Sequence, residues 1–200
     1  IPATLSMVFS GIYSIADGIF VGRCIGMDAL AAVDLVMPLI MISFALAEMI
    51  AVGSSVQLAM LLGQKEKELA NRTFSVCIKV ILGISVMIGL IFFFLSKPIL
   101  MLMGTEGMAL QYSIEYIRVY AVFSPLIIVY FAADNYLRIC GKQNYSMALN
   151  IVTAVLNIVL DLLLLVVWKQ GVWAAALTSC ISMALGTVMA LCPFFRNKLE

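Results

Sequence analysis

Tyr145-Ser146-Met147-Ala148-Leu149-Asn150-Ile151-Val152-Thr153-Ala154-Val155-Leu156-Asn157-Ile158-Val159-Leu160-Asp161, followed by Leu162-Leu163-Leu164-Leu165-Val166-Val167-Trp168, decides what kind of molecule this is. The stretch is apolar over a length that crosses a bilayer core of about 30 Å, which takes roughly 20 residues of helix. Asn150, Thr153, Asn157 and Asp161 recur within it at steps of three and four, so a helix sets all four on one face. A span with one polar face ending in an acid belongs with that face toward a bundle interior or a water-filled cavity.

Five further runs have the same character. Together the six spans cover about 2–22, 35–62, 74–96, 109–137, 145–168 and 171–195. The expected fold is therefore all-α: a polytopic membrane bundle of six transmembrane helices in the lipid bilayer, forming one unit over 1–200. Composition agrees, with 64% hydrophobic and 12% charged residues, against about 45–50% and about 25% in soluble domains. The first run reads as a full span and not as a secretory leader. A chain that begins at Ile1 inside one span and stops just after another reads as a fragment.

Several function classes drop out on composition. A net charge of +1 leaves no basic face for nucleic acid. There is no histidine, which removes the commonest general base and metal ligand. With no G-x-S-x-G or HExxH element either, an intramembrane hydrolase has no nucleophile and base, and no enzyme is expected. The five cysteines form no CxxC pair and read as small packing residues.

Lysine and arginine orient the spans. Lys65, Lys67, Arg72, Lys79, Arg138, Lys142, Arg196 and Lys198 fall on one side, and Arg23, Lys97, Arg118 and Lys169 on the other. That bias puts both ends of the chain, and the second and fourth loops, on the cytoplasmic side of the cytoplasmic membrane. The run Gly63-Gln64-Lys65-Glu66-Lys67-Glu68 reads as a solvated turn.

Ionisable side chains within spans are costly and mark function. Glu115 and Arg118 stand three apart and can neutralise each other, and Asp134 lies beside Arg138, so both acids are expected to be paired. Glu48 lies midway along the second span and Asn135 near the end of the fourth. Asp17 and Asp161 have no cationic partner on their own helices. Asp17 extends a polar face of Ser6, Ser10 and Tyr13, and Ala175, Ser179, Ser182 and Gly186 form a small-residue face on the sixth span. At about 1.5 Å per residue, Asp17 lies roughly 8 Å below Gly22, Asp161 roughly 10 Å below Trp168 and Ser179 roughly 12 Å below Gly171. Three spans, the sixth running opposite to the first and fifth, thus bring these groups to one depth in the outer half. Two carboxylates, an amide and a hydroxyl make an oxygen-only site for a hard cation or a proton.

At these residues the chain resembles a known family. Ile1-Pro2 followed by Tyr13-Ser14-Ile15-Ala16-Asp17-Gly18-Ile19-Phe20-Val21-Gly22 is similar to the first helix of MATE (multidrug and toxic compound extrusion) transporters. Tyr136-Leu137-Arg138-Ile139-Cys140-Gly141 resembles their R-x-x-G turn, and Leu156-Asn157-Ile158-Val159-Leu160-Asp161 their lNxxLD element. Gly171-Val172-Trp173-Ala174-Ala175-Ala176-Leu177-Thr178-Ser179 resembles GxxGAAxAT, with Ala174 in place of Gly and Ser179 in place of Thr.

The resemblance implies a Na⁺- or H⁺-coupled antiporter exporting drug-like organic cations, of which this chain is the N-terminal lobe, with the C-terminal lobe as its missing partner. It implies a cation site of Asp17, Asn157, Asp161, the Ala175 carbonyl and Ser179. It also implies a substrate cavity with Tyr13, to which Glu48 and Asn135 are added as polar candidates, and a bend in the first helix at Pro2. No cofactor is expected beyond the coupling ion, and no metal beyond Na⁺. The rival readings are a lipid-linked oligosaccharide flippase of the same superfamily and a non-transporting membrane subunit. The flippase needs basic residues for pyrophosphate, and apart from Lys79 at the start of its span Arg118 alone offers one within the spans.

Overall fold

In hydrocarbon every backbone N–H and C=O must find its partner inside the protein, so each apolar run closes its own hydrogen bonds as a helix. The computed structural model describes residues 2–196, and they are helical nearly throughout. The helices are α1 (Pro2–Cys24), α2 (Met27–Gly63), α3 (Lys67–Leu102), α4 (Gly107–Ile139), α5 (Gln143–Asp161) and α6 (Val172–Arg196). Residues Leu162–Val167 prolong α5 as a π-helix. Among the described residues, five helices are long and apolar enough to cross a membrane: α2 to α6. The remaining helix, α1, has 23 residues, the length that a crossing requires.

Two loops are shorter than the charge pattern suggests. α2 starts at Met27 and not near residue 35, because Met27–Asp34 is alanine-rich and good helix former despite its two aspartates. α3 runs on through Lys97 and Pro98 to Leu102. Pro38 and Pro98 are consequently helix-interior residues. The R-x-x-G turn closes α4 through Gly141, whose φ of 75° is left-handed, while Lys142 N–H returns to the Leu137 carbonyl at 3.0 Å. Side chains of Pro2, Ser6 and Ser10, and all of Ile1 and Lys198, lie outside the described residues, and so does the expected bend at Pro2.

α4 is the axle of the bundle. It packs along α2, α3 and α6, and its buried residues face all three. Lipid is as apolar as leucine, so polar contacts and close backbone approach do the work that water exclusion does elsewhere. Ser43 Oγ meets Tyr120 OH at 2.9 Å, Ser54 Oγ meets Tyr136 OH at 2.6 Å, and Thr187 Oγ1 donates to the Leu126 carbonyl at 2.7 Å. Pro125 shows how a broken helix bond is repaired. Its missing N–H would leave the Ala121 carbonyl without a partner, and Ser124 Oγ donates to that oxygen at 2.9 Å. α1 sits outside this core and packs chiefly along α5, with lighter contact to α2, to the Leu162–Val167 turn and to α6.

Candidate functional site

α1, α5 and α6 meet around the two acids. Asp161 is fully buried at the last turn of α5, and Asp17 is buried on α1 near enough for the two charges to act on one another. Thr178 Oγ1 reaches Asp161 Oδ1 at 2.5 Å and the Ala175 carbonyl at 2.8 Å. In the orientation that satisfies its amide, Asn157 Nδ2 donates to Asp161 Oδ2 at 3.1 Å, while its Oδ1 accepts from Ser179 Oγ at 3.1 Å and Ser179 N–H at 3.3 Å. Asp17 Oδ1 is buried and has no hydrogen-bond partner among the described residues. A buried carboxylate oxygen left without a donor is costly, and a cation or a proton relieves that cost.

The helices place these groups by spacing. Asn157 and Asp161 are one turn apart on α5, and Ala175, Thr178 and Ser179 occupy the first two turns of α6. Ala174, Ala175 and Ala176 are buried with no bulk to hold the two helices apart. The π-turn starts directly after Asp161, and Trp168 N–H bonds the Leu163 carbonyl at 3.0 Å. Such turns recur at functional positions of helices.

Two cavities lie against the helices that carry the acids, and Asp17 lines the larger. One of about 140 Å³ is lined by Tyr13, Asp17, Met41, Phe44, Tyr120 and Ser179, among others. The other, of about 50 Å³, is lined by Tyr13, Tyr130, Asn150, Thr153, Asn157 and Ser179, among others. Among the described residues, neither has a lysine or arginine in its wall. Among the described residues no three His, Cys, Asp or Glu side chains gather as a metal cluster. The donor set is two carboxylates with amide, hydroxyl and carbonyl oxygens, suited to a hard monovalent cation or a proton. Thr178 has one hydrogen for two acceptors. With Asp161 ionised it can point to the carboxylate, and with Asp161 protonated it can turn to the Ala175 carbonyl while the carboxyl donates to it.

The structure thus brings Asp17, Asn157, Asp161, Ala175 and Ser179 to one place, with Tyr13 on both cavity walls. It adds Thr178, which the sequence reading passed over although Thr178 stands where GxxGAAxAT has alanine. Glu48 and Asn135 are elsewhere: Asn135 Nδ2 donates to Glu48 Oε1 at 3.4 Å between α2 and α4, and neither lines either cavity. Asp134 pairs with Arg138 at 2.6 Å. Glu115 and Arg118 form no ion pair, although both line one pocket with Gly107, Leu110, Gln111 and Ile114 near the start of α4, where Arg118 is exposed.

The profile of the MatE family matches residues 2–163. The chain belongs to the MatE family. It is 27% identical over 200 residues to the multidrug export protein MepA of Staphylococcus saprophyticus, a match covering 99% of this chain and 44% of that protein. The same figures hold for MepA of Staphylococcus aureus. The chain therefore spans less than half the length of these MatE relatives. Among solved structures, MATE in the straight conformation superposes with a TM-score of 0.92 at 30% identity, covering 100% of this chain and 44% of that one. MATE in the bent conformation gives 0.90 at 30% identity, covering 100% and 45%. The MATE multidrug transporter DinF-BH gives 0.94 at 31%, covering 99% and 44%. The fold is that of a MATE N-terminal lobe in a multi-pass membrane protein. The MatE relatives are transporters and not enzymes.

Proposed function

We propose that this chain is the N-terminal lobe of a cation-coupled antiporter of the cytoplasmic membrane that exports drug-like organic cations, with Na⁺ or H⁺ as coupling ion. The observation that carries the reading is the buried, partnerless Asp17 Oδ1 beside an Asp161 whose oxygens are both engaged. The coupling ion binds between α1 and α5, holding Asp17 toward Asp161, Asn157, Ser179 and the Ala175 carbonyl. Repositioning of α1 then changes the cavity that Tyr13 lines. One charge moved through 100 mV contributes about 2.3 kcal/mol to the exchange.

The cavity supports a partner lobe. At about 140 Å³ it is smaller than the roughly 300–1,000 Å³ of drug-sized sites, so a second lobe completes it. Its Met37, Met41 and Met183 with Phe44, Tyr116 and Tyr120 offer polarisable and π surfaces to an organic cation. The absence of lysine and arginine from its wall argues against a pyrophosphate-bearing lipid. The basic bias places both ends of the lobe in the cytoplasm.

The test is dye efflux from proteoliposomes holding this lobe joined to its second lobe, under an imposed Na⁺ or H⁺ gradient. Asp17→Asn and Asp161→Asn should each lower coupled efflux at least tenfold while the protein still folds. Full coupled efflux by both variants would exclude the proposal.

A further inference from the structure

α5 carries more polar groups than the acid pair uses. Ser146, Asn150, Thr153, Asn157 and Asp161 follow one another on its inward face, and every one of them is buried or half-buried. At the Arg138 end, Asp134 Oδ2 is held by Arg138 Nη2 at 2.6 Å, and Asp134 Oδ1 accepts from Ser146 Oγ and, at 3.2 Å, from Asn150 Nδ2. Tyr130 OH donates to Asn150 Oδ1 at 2.9 Å and lies 3.2 Å from Thr153 Oγ1. Beyond Thr153 comes the cavity of about 50 Å³, whose far wall is Asn157 and Ser179. Since a water needs about 10–15 Å³ of such volume, about three to five fit there. Asn157 then hands over to Asp161. A polar line therefore runs from the Arg138 end of α4 to the buried acid, closed by hydrogen bonds over its first half and hollow over its second.

α6 stands close against this line. A Cβ added at Gly186 of α6 would lie 2.6 Å from Thr153 Cγ2 and 2.7 Å from Tyr130 Cε2. The line continues along α5 toward Asp134, while on the α1 side the small cavity shares Tyr13, Ser179 and Met183 with the larger one. α4 and α5, although consecutive, share only a short packed interface, in which polar bonds that can open and re-form lie beside a small apolar cluster of Ala133, Leu137, Leu149 and Ala190.

We propose that the α4–α5 polar line is the cytoplasmic half of a cation route within this lobe, shut in the present conformation by the Tyr130–Asn150–Asp134 bonds. This deepens the proposed function, resting on it for the direction of flow and for the cation at Asp161. Opening requires Tyr130 to release Asn150 and Arg138 to swing from Asp134, which frees a carboxylate at the inner mouth for the departing cation.

Thiol accessibility tests the route without needing transport. With the five native cysteines replaced by alanine, Thr153→Cys is exposed to a small membrane-impermeant cationic thiosulfonate from either side. Labelling should be slow in that background and about tenfold faster when Tyr130→Phe is added, the change that one buried hydrogen bond makes to a two-state equilibrium. The gain should come from the cytoplasmic side only. Equal gain from both sides, as simple loosening of the cavity would give, overturns the route, and so does no gain. A second measurement needs no cysteine: without export substrate, passive cation leak through Tyr130→Phe proteoliposomes should rise about tenfold, and an unchanged leak counts against the proposal. Adding Asp161→Asn should leave the labelling pattern intact while abolishing coupled efflux, so failure of the site and failure of the route read differently.

Discussion

Thr178 has a single hydrogen to share between Asp161 Oδ1 and the Ala175 carbonyl, and it is fully buried. Thr178→Val keeps the shape, removes the hydroxyl and leaves the carboxylate short of a donor. It should cost about 1 kcal/mol in thermal unfolding in detergent, the scale of interhelical hydrogen bonds in membranes, whereas Thr178→Ser should cost less than half of that. Arg138 and Asp134 allow a separate check. Arg138 is 35% exposed and Asp134 9%, so the pair falls between surface and buried cases. Arg138→Ala should destabilise by about 1–2 kcal/mol, and adding Asp134→Asn should recover part of that loss, because a neutral amide needs no counter-charge. The sequence exposed Asp17 and Asp161 readily, since an acid within an apolar run has nothing to hide behind. It concealed Thr178, since a threonine among alanines gives no sign of what its hydroxyl will face. It also left Glu48 and Asn135 open, because only the rotation of α2 against α4 turns them toward each other and away from the cavities.

Helix positions were readable from hydropathy, and helix ends were not. A charge at Asp28 or Lys97 ends an apolar window but not a helix, so α2 and α3 extend past the expected spans. The π-turn at Leu162–Val167 is four leucines and two valines, a composition that any buried helix shares. Close contact of α3 and α4 leads to a prediction at this scale. A Cβ at Gly89 would lie 2.5 Å from Ser124 Oγ and 2.7 Å from the Ala121 carbonyl. Backbone cannot yield as a side chain does, and the Ser124 hydroxyl is the group that mends the Pro125 break. Gly89→Ala should therefore lower stability by about 1–3 kcal/mol, whereas Gly83→Ala, with nothing within 4 Å, should be neutral or stabilising by up to about 1 kcal/mol. Thermal unfolding of both variants in one detergent gives the comparison.

For the whole molecule, the lobe divides its labour. α4 with α2, α3 and α6 forms a bundle tied by serine, threonine and tyrosine hydroxyls, while α1 rests mainly on α5 beside the acids. A helix with little packing besides one neighbour can be repositioned by a small change in charge, and Asp17 sits on that helix. The Leu46, Met49, Val52 and Met60 side chains of α2 remain exposed in the lobe, surface that lipid or a second lobe would cover. If Asp17 and Asp161 form one cation site, equilibrium binding of radioactive sodium, together with proton uptake, should report it on the purified two-lobed protein and its Asp17→Asn and Asp161→Asn variants. The parent should bind one of these cations saturably, and either variant should lose that binding. Binding that survives in the variant carrying both substitutions would rule the shared site out.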